Sequence, residues 1–289
     1  MEPKDRIIVA LDVKQTREAA AHVQTLRSSV GLFKIGLEFI YSMLRSLLVP
    51  GNADAISNLG DIRELFELLA HNLFWDGKLN DIPNTIKGAS GPITDIGVKM
   101  FNIHCLSGPA AMEAARKESE EFAKRAGYAR PLALGVTVLT SLSYDDLVKM
   151  GIMKYHGPGS PLMAGGSQEA DARIRMEELV VCLARLAKEC GLDGVVCSPQ
   201  EIVAVREACG PEFQIVTPGV RPVWAAVGDQ KRVMTPGEAI AAGADYLVIG
   251  RPILQPPPEI GRPSDAAAKI AEEIGEVMAK GDTKKIEKS

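Results

Sequence analysis

The sequence lacks any long apolar run. None approaches the length of a membrane span, and the N-terminal stretch MEPKDRIIVALDV carries charges where a secretory signal needs an apolar core. The chain also lacks a Lys/Arg run interleaved with aromatics, has only 5% aromatic residues and has a formal net charge of −4, so a nucleic-acid-binding surface is not indicated. These absences predict a soluble, cytoplasmic protein without a membrane or nucleic-acid partner.

Patterns for metal binding and for disulfides are also missing. The five cysteines are odd in number and include no CxxC pair, which favours reduced thiols over a disulfide framework or a zinc site. The four histidines form no HExxH motif and no close pair. We therefore expect no metal, although these patterns do not address magnesium bound by carboxylates.

What the sequence does contain is a regular alternation of short apolar runs and amphipathic segments. This alternation is typical of βα units around a parallel sheet, and 289 residues with 46% hydrophobic content fit a single domain of that kind. The predicted strands are 7–11, 32–36, 73–78, 98–104, 132–138, 193–197, 213–217 and 245–249. The predicted helices lie near 15–29, 38–48, 61–71, 109–126, 172–190, 199–208, 236–242 and 265–279. Eight strands close a barrel, so the predicted fold class is α/β, a (β/α)8 TIM barrel forming one domain over residues 1–289.

Two segments depart from a compact barrel. The stretch GPGSPLMAGG at 157–166 predicts a Gly/Pro-rich surface insertion near 151–168, between the fifth and sixth strands. The alternative for this stretch is a mobile lid. The C-terminal KGDTKKIEKS predicts a polar, solvated tail near 280–289.

Charged residues follow or end the first three predicted strands. Asp12 follows the first strand, Lys34 lies near the end of the second, and Asp76 and Lys78 end the third. Functional groups of a βα barrel sit at the C-terminal ends of its strands, so all four belong to one rim. Side chains alternate along a strand, which places Asp76 and Lys78 on the same face. If that face and the face of Asp12 and Lys34 point inward, two lysines and two aspartates converge.

Such a group of charges is costly unless its members compensate one another, so the alternating signs indicate one mutually stabilising array. Adjacent carboxylates favour the ammonium form of Lys78, and a positioned ammonium is a proton donor. The alternative is a buried ion network that only shapes the barrel. Four charges on three adjacent strand ends favour the functional interpretation.

Two arginine-containing motifs follow the last two predicted strands, TPGVRP at 217–222 and GRPI at 250–253. Loops in these positions frequently form the phosphate site of a βα barrel. The glycines permit close backbone approach and the arginines offer planar forks to phosphate oxygens. Either arginine alone fits a surface salt bridge, but together they favour a phosphomonoester ligand. The candidate phosphate-binding residues are Arg221, Gln230, Gly250 and Arg251.

Three further polar residues allow more than one interpretation. Asp81 lies beyond the third strand and cannot share the face of Asp76 by alternation, so it either bends over its own site or reaches toward a partner subunit. Thr140, after the fifth strand, either hydrogen-bonds a polar ring or caps a helix. His104, at the end of the fourth strand, is more typical of a satisfied rim or core residue than of a catalyst.

The stretch FWDGKLNDIPNT resembles the DxKxxDIPxT signature of the orotidine 5′-phosphate decarboxylase family. IIVALDV, FKIG, VTPGVRP with DQKRVMTP, and ADYLVIGRPI are similar to the other motifs of that family and occur in its order, over roughly residues 6–254. The resemblance implies conversion of orotidine 5′-phosphate to UMP in de novo pyrimidine biosynthesis by direct loss of CO₂. It also implies that the protein uses no cofactor and forms a homodimer with shared active sites.

The resemblance assigns a role to each motif residue. Lys78 is the proton donor, Lys34, Asp76 and Lys78 form the charged array, and Asp81 completes it from the neighbouring subunit. The residues implied to contact substrate are Asp12 at the ribose, Thr140 at the pyrimidine, Ile82 and Thr85 near the partner's ligand, and Arg221, Gln230, Gly250 and Arg251 at the phosphate. In departure from the family pattern, Gly77 is a less usual filler between Asp76 and Lys78, and is expected to loosen the strand end.

Two alternatives accompany this assignment. One is a magnesium-dependent sugar-phosphate decarboxylase or aldolase of the same superfamily, although DIPNT and Gln230 fit the orotidylate pattern better. The other is a noncatalytic barrel that binds a phosphate ligand, because fold alone does not establish activity.

Overall fold

A computed structural model describes most of the chain. The described residues are 1–49, 55–69, 71–154, 168–225 and 234–286. Within them no helix is long and apolar enough to span a membrane.

The described part of the chain contains a closed barrel of eight parallel strands in sequence order, in which β8 pairs with β1. The strands are β1 Ile7–Ala10, β2 Leu32–Gly36, β3 Leu73–Leu79, β4 Met100–His104, β5 Leu132–Val136, β6 Gly194–Val196, β7 Gln214–Pro218 and β8 Tyr246–Ile249. Each lies within two or three residues of its predicted position. The predicted (β/α)8 fold is therefore confirmed.

Helices follow the strands around the outside of the barrel. Among the described residues they are α1 Thr16–Leu26, α2 Leu37–Leu48, α3 Ala55–Leu69, α4 Pro83–Asp95, α5 Pro109–Ala126, α6 Tyr144–Lys149, α7 Gln168–Glu189, α8 Ile202–Cys209, α9 Pro236–Ala242, α10 Arg251–Leu254 and α11 Pro263–Ile286. Three of these, α4, α6 and α10, are absent from the sequence prediction. Helix α11 continues into the segment expected to be a solvated tail.

Helix α4 forms although its sequence is poor in helix formers. It contains Gly88, Gly91 and an internal Pro92, which obscure the helical period. Helix α4 is buried by packing against α5. A Cβ at Gly91 would lie 3.3 Å from Phe122 Cδ2, so the lack of a side chain at Gly91 lets the two helices approach closely. Tertiary packing here outweighs weak local propensity.

The strands separate two apolar layers. The outer layer, between strands and helices, includes Val9, Phe33 and Phe101. The inner layer fills the barrel with residues of the opposite parity: Ile8, Ala10, Leu32, Phe74, Met100, Leu134, Val216, Tyr246 and Val248. Residues 8 and 10 of β1 and residue 32 of β2 thus face inward, as the array hypothesis requires.

The N-terminal rim of the barrel is held by two similar ion pairs. Asp193, just before β6, accepts hydrogen bonds from both Arg130 Nη atoms at 2.6 and 2.7 Å and from the Ala133 N–H at 2.7 Å. Asp245, just before β8, accepts from Arg206 Nη2 at 2.6 Å and from the Ile215 N–H at 2.8 Å. Each carboxylate ties the start of its strand to a neighbouring one, which is a structural role suited to this rim.

The predicted domain boundaries stay a prediction. The Gly/Pro-rich stretch 157–166 lies outside the described residues, between α6 and α7. A single domain over residues 1–289 with an insertion near 151–168 is therefore consistent with the barrel but is not tested by it.

Candidate active site

Four charged side chains form a continuous chain of ion pairs at the C-terminal ends of β1, β2 and β3. Lys34 Nζ lies 3.2 Å from Asp12 Oδ1 and 3.2 Å from Asp76 Oδ2. Lys78 Nζ donates to Asp76 Oδ1 at 2.7 Å. The signs alternate along the chain, so every charge lies beside an opposite one. We call Asp12, Lys34, Asp76 and Lys78 the charged array.

Burial differs along the array. The Lys34 and Asp76 side chains are only 10% and 11% exposed, whereas those of Lys78 and Asp12 are 31% and 57% exposed. The deeply placed ion pair is therefore Lys34 with Asp76, and the more exposed Lys78 Nζ is available to a ligand. Gly36 makes room for this arrangement, because a Cβ there would lie 3.0 Å from Lys34 Nζ.

Lys78 lies beside Asp76 because of a bulge in β3 and not because side chains alternate along a regular strand. The pairing of β3 with β4 shifts between Trp75 and Leu79, and Lys78 has a φ of 47°, a left-handed conformation unusual for a non-glycine residue. Residues 76–78 therefore form a bulge at the strand end. Bulges of this kind re-aim side chains near active sites, and here the bulge directs Lys78 toward Asp76.

Asn102 is a site residue that sequence reasoning missed. It lies on β4, is 1% exposed, donates from Nδ2 to Asp76 Oδ1 at 2.6 Å and accepts from the Lys78 N–H at 2.8 Å. The signal was present: Asn102 is an amide on the inward face of a strand that is apolar up to His104, and a buried amide must find partners.

His104 lies two residues further along β4 and is half-buried. Burial, together with the positive charge of Lys78, lowers the pKa of His104, while Asp76 opposes the shift. A neutral imidazole thus stands beside the array.

The position of Gly77 leaves no room for a side chain. A Cβ at this position would lie 2.8 Å from Trp75 Nε1 and 3.1 Å from Trp75 Cδ1. The indole of Trp75 therefore occupies the space that a side chain at position 77 needs. The unusual glycine is explained by the tryptophan two residues earlier.

The two arginine-containing loops face the same cavity as the array. This cavity has a volume of about 490 Å³, and its walls include Lys34, Asp76 and Lys78 on one side and Arg221, Gly250 and Arg251 on the other. A single ligand of moderate size can therefore reach both groups.

A backbone hydrogen bond joins the two described ends of the segment after β7. Gly219 adopts a φ of 82°, and the Arg221 N–H donates to the Met234 carbonyl at 3.0 Å. Arg221 is only 8% exposed, whereas Arg251 is exposed. Gln230, the fourth candidate phosphate-binding residue, lies outside the described residues.

The remaining candidates divide into two groups. Thr140 and Asp12 belong to the wall of the cavity. Asp81, Ile82 and Thr85 are exposed and are not among the residues that form this wall, and Asp81 Oδ1 accepts a hydrogen bond from the adjacent Ile82 N–H at 2.7 Å.

Among the described residues, no three His, Cys, Asp or Glu side chains are grouped so that they could hold a metal ion.

Fold and site together define a (β/α)8 barrel with an alternating charged array at its C-terminal rim. The family model described as "Orotidine 5'-phosphate decarboxylase / HUMPS family" matches residues 5–158 and 162–262. The chain therefore belongs to this family.

Individual relatives cover nearly the whole chain. The orotidine 5′-phosphate decarboxylase of Syntrophomonas wolfei subsp. wolfei is 41% identical over 277 residues, which are 96% of this chain and 100% of that protein. The enzyme of the same name from Trichlorobacter lovleyi is 43% identical over 274 residues, covering 94% of this chain and 96% of that protein. The crystal structure of orotidine 5′-phosphate decarboxylase from Lactobacillus acidophilus matches with a TM-score of 0.65 and 28% identity, covering 93% of this chain and 98% of that chain.

Proposed function

We propose that this protein is a carboxy-lyase that converts orotidine 5′-phosphate to UMP and CO₂, the activity named in its relatives. The observation that carries the proposal is the charged array, which shares one cavity with Arg221 and Arg251. One end of the cavity suits a phosphate and the other suits a reaction that develops negative charge.

The proposed reaction uses Lys78 as both electrostatic stabiliser and acid. The bond between C6 and the carboxylate carbon breaks, CO₂ leaves, and the electron pair stays on C6, where the ring delocalises it poorly. The Lys78 ammonium stabilises this carbanion and donates a proton to C6, and the resulting amine regains a proton from solvent. Asp76 holds Lys78 at 2.7 Å and Lys34 at 3.2 Å, so the donor needs no reorganisation at the moment of reaction.

In this proposal the phosphate supplies binding energy at a distance from the bond that breaks. Arg221, Gln230, Gly250 and Arg251 hold the phosphate, Asp12 the ribose and Thr140 the pyrimidine. Binding at such a remote handle can drive orientation and loop closure around the reacting ring.

The proposal is tested by following the loss of orotidine 5′-phosphate absorbance with protein treated with EDTA and no added cofactor. We expect turnover under these conditions. Activity that appears only with magnesium and a ketose phosphate would instead identify the sugar-phosphate decarboxylase or aldolase alternative.

A lysine variant separates catalysis from ligand binding. We expect Lys78→Ala to abolish turnover while UMP still binds, because the phosphate and ribose contacts remain. Lys87→Ala is the matched control: this lysine is on α4, is 58% exposed and pairs with Glu118 at 3.7 Å, away from the cavity. Equal turnover in Lys78→Ala and wild type would defeat the role assigned to Lys78, whereas UMP binding without turnover in the wild type would identify a barrel that only binds its ligand.

A homodimer with shared sites is part of the proposal. Asp81, Ile82 and Thr85 are exposed on the rim, and Ile82 is 65% exposed. The neighbouring loop exposes Leu106 to 52%, and a hydrogen bond of 2.8 Å from Ser107 Oγ to Asn80 Oδ1 ties the two loops together. These features support a partner subunit that covers the apolar rim and receives Asp81.

Subunit mixing tests the shared site. Lys78→Ala and Asp81→Ala homodimers are each expected to be inactive. Random pairing of equal amounts places half of the subunits in heterodimers with one intact site of two, so about a quarter of wild-type activity should return. An absence of recovery despite demonstrated exchange of subunits would place Asp81 in its own chain's site.

We also propose that the protein acts in the cytoplasm. Its five cysteines, all among the described residues, are free thiols, and Cys182 is exposed. Free thiols persist most readily in a reducing compartment. Cell fractionation that finds the protein elsewhere would contradict this.

A further inference from the structure

The register between β3 and β4 breaks at the charged array. Trp75 pairs with Phe101 and Leu79 pairs with Ile103, so the chain advances four residues on β3 against two on β4. The intervening residues of β3 cannot all make regular ladder hydrogen bonds to β4. Among them are Asp76 and Lys78, and Lys78 holds the unusual φ of 47°.

The side chain of Asn102 fills this break. Its Oδ1 accepts the Lys78 N–H at 2.8 Å, which replaces the backbone acceptor that the bulge removes. Its Nδ2 donates to Asp76 Oδ1 at 2.6 Å. The amide can make both contacts in one orientation only, because the N–H requires an acceptor and the carboxylate requires a donor.

These contacts link Lys78, the proton donor of the proposed reaction, to Asp76, the carboxylate that holds it. Asp76 Oδ1 receives Lys78 Nζ at 2.7 Å and Asn102 Nδ2 at 2.6 Å, while Oδ2 faces Lys34 Nζ at 3.2 Å. Without the amide donor, the carboxylate of Asp76 loses the neutral contact that fixes its rotation. Without the amide acceptor, the backbone of Lys78 loses the contact that holds its left-handed conformation.

We propose that Asn102 is a positioning residue for decarboxylation, which aligns the Asp76 carboxylate and the Lys78 backbone so that the Lys78 ammonium meets C6. This inference rests on the proposed function. Asn102 acts through Asp76 and Lys78 and has no assigned contact with the substrate.

Removal of the amide tests the proposal. We expect Asn102→Ala to lower kcat about 10–100-fold, because a misplacement of about 1 Å at a reacting group can cost about 100-fold. KM for orotidine 5′-phosphate and the Kd of UMP should change less than about threefold, because the phosphate contacts are untouched.

The near-isosteric variant Asn102→Asp tests the positioning role through the pH dependence of kcat. A residue with only a structural role would leave that pH dependence unchanged. The new carboxyl can still accept the Lys78 N–H, but its second oxygen faces Asp76, and two carboxyls in contact tend to share one proton. When protonated, the new group donates to Asp76 as the amide does. When ionised, it repels Asp76 and competes for Lys78. The variant's kcat should therefore fall as pH rises through the pKa of this carboxyl pair, a limb absent from the wild type.

The charged and titratable groups around position 102 enter this pH profile. They are Asp76 and Lys78 on β3, Lys34 on β2, Asp12 after β1 and His104 on β4 itself. All of them are present in the wild type, so only the new carboxyl can create a new limb.

Asp193→Asn serves as the control for lost stability. It removes the charge of a carboxylate that also bonds a backbone N–H and a side chain, but at the opposite rim. This variant should lower Tm while leaving kcat unchanged. If Asn102→Ala lowers kcat only in proportion to its folded fraction, or if Asn102→Asp shows no new limb, the proposal is wrong.

Amide hydrogen exchange at Lys78 provides a readout that does not depend on activity. We expect the Lys78 N–H to be protected in the wild type and to exchange at least about tenfold faster in Asn102→Ala, because its acceptor is gone. If the wild type does not decarboxylate orotidine 5′-phosphate yet exchange differs in this way, the proposed function fails and the positioning of Lys78 by Asn102 stands. Equal exchange in the two proteins overturns the positioning itself.

Discussion

Replacing Gly77 by alanine would place a methyl group 2.8 Å from Nε1 and 3.1 Å from Cδ1 of the Trp75 indole. These distances are shorter than van der Waals contact, so the indole or the 76–78 backbone must move. Gly77 is not among the described residues with a positive φ, so the cost arises from this contact and not from the backbone conformation. Trp75 packs against the outer core, which limits how far the indole can retreat.

The expected effect is a moderate loss of both stability and activity. Overpacking of this kind costs roughly 1–3 kcal/mol. At about 2–4 °C per kcal/mol for a chain somewhat smaller than this one, Tm should fall by about 2–12 °C. The Gly77 peptide links Asp76 to Lys78, so a backbone shift of a few tenths of an ångström should lower kcat by about 3–10-fold, given that 1 Å of misplacement can cost about 100-fold.

The assay combines thermal unfolding, steady-state decarboxylation and one further substitution. Trp75→Leu removes the obstructing indole, so Gly77→Ala should cost less in that background, with a coupling free energy of about 1 kcal/mol. Gly88→Ala in α4 is the matched control, because beyond the neighbouring residues and backbone of its own helix no atom lies within 4 Å of the added Cβ. There alanine should stabilise the helix by about 0.5–1 kcal/mol. Wild-type Tm and kcat in Gly77→Ala would refute the reasoning.

Three further outcomes are expected. Arg221→Gln should raise KM for orotidine 5′-phosphate by about 10–100-fold, because a hydrogen bond to a charged group contributes about 1.5–3 kcal/mol. The same variant should leave the turnover of orotidine unchanged, because orotidine lacks the phosphate. Asp245→Asn should lower the free energy of unfolding by about 1–3 kcal/mol in urea titrations with unchanged kcat, because it weakens a partly buried pair at the opposite rim. The pKa of His104 is lowered in the fold by burial and then by Lys78, so the unfolded chain binds its proton first and stability falls as pH drops below the ordinary value of 6.5. His104→Gln should lose less Tm than the wild type between pH 7.5 and pH 5.5; an equal loss would contradict this.

The strands and the inward array were accessible to sequence reasoning for a simple physical reason. A parallel barrel strand is buried on both faces, so it appears as a short apolar run, and a charge within or after such a run stands out. Lys34 and Asp76 are examples, since each lies on the inward parity of its strand. Helix α4 was missed because Gly91 and Pro92 weaken the local signal, while the packing against Phe122 that stabilises it comes from residues distant in sequence.

The bulge could not be predicted from alternation. Alternation assumes an unbroken register, and the break between Trp75 and Leu79 depends on how Asn102 and Lys78 meet across two strands. Strict alternation and the observed bulge both place Lys78 beside Asp76, but only the bulge accounts for the φ of 47° at Lys78. The steric conflict between Trp75 and a side chain at position 77 could not be predicted either, because it depends on a distance in the folded structure and has no sequence pattern.

The distribution of charge along the cavity suggests how binding and catalysis are separated in the proposed reaction. The array contains two carboxylates and two ammonium groups, so it has no net charge with which to attract an anion. The two arginines on the other side of the cavity offer planar guanidinium groups, whose N–H donors suit the oxygens of a phosphate. The substrate carboxylate would then lie near the Asp76 carboxylate, and the binding energy of the phosphate would offset the repulsion between these two negative groups. The repulsion ends when CO₂ leaves. The carbanion that remains faces Lys78, so the array favours the transition state over the bound substrate. Variants on the arginine side should therefore act mainly on KM, and variants of Asp76, Lys78 and Asn102 mainly on kcat.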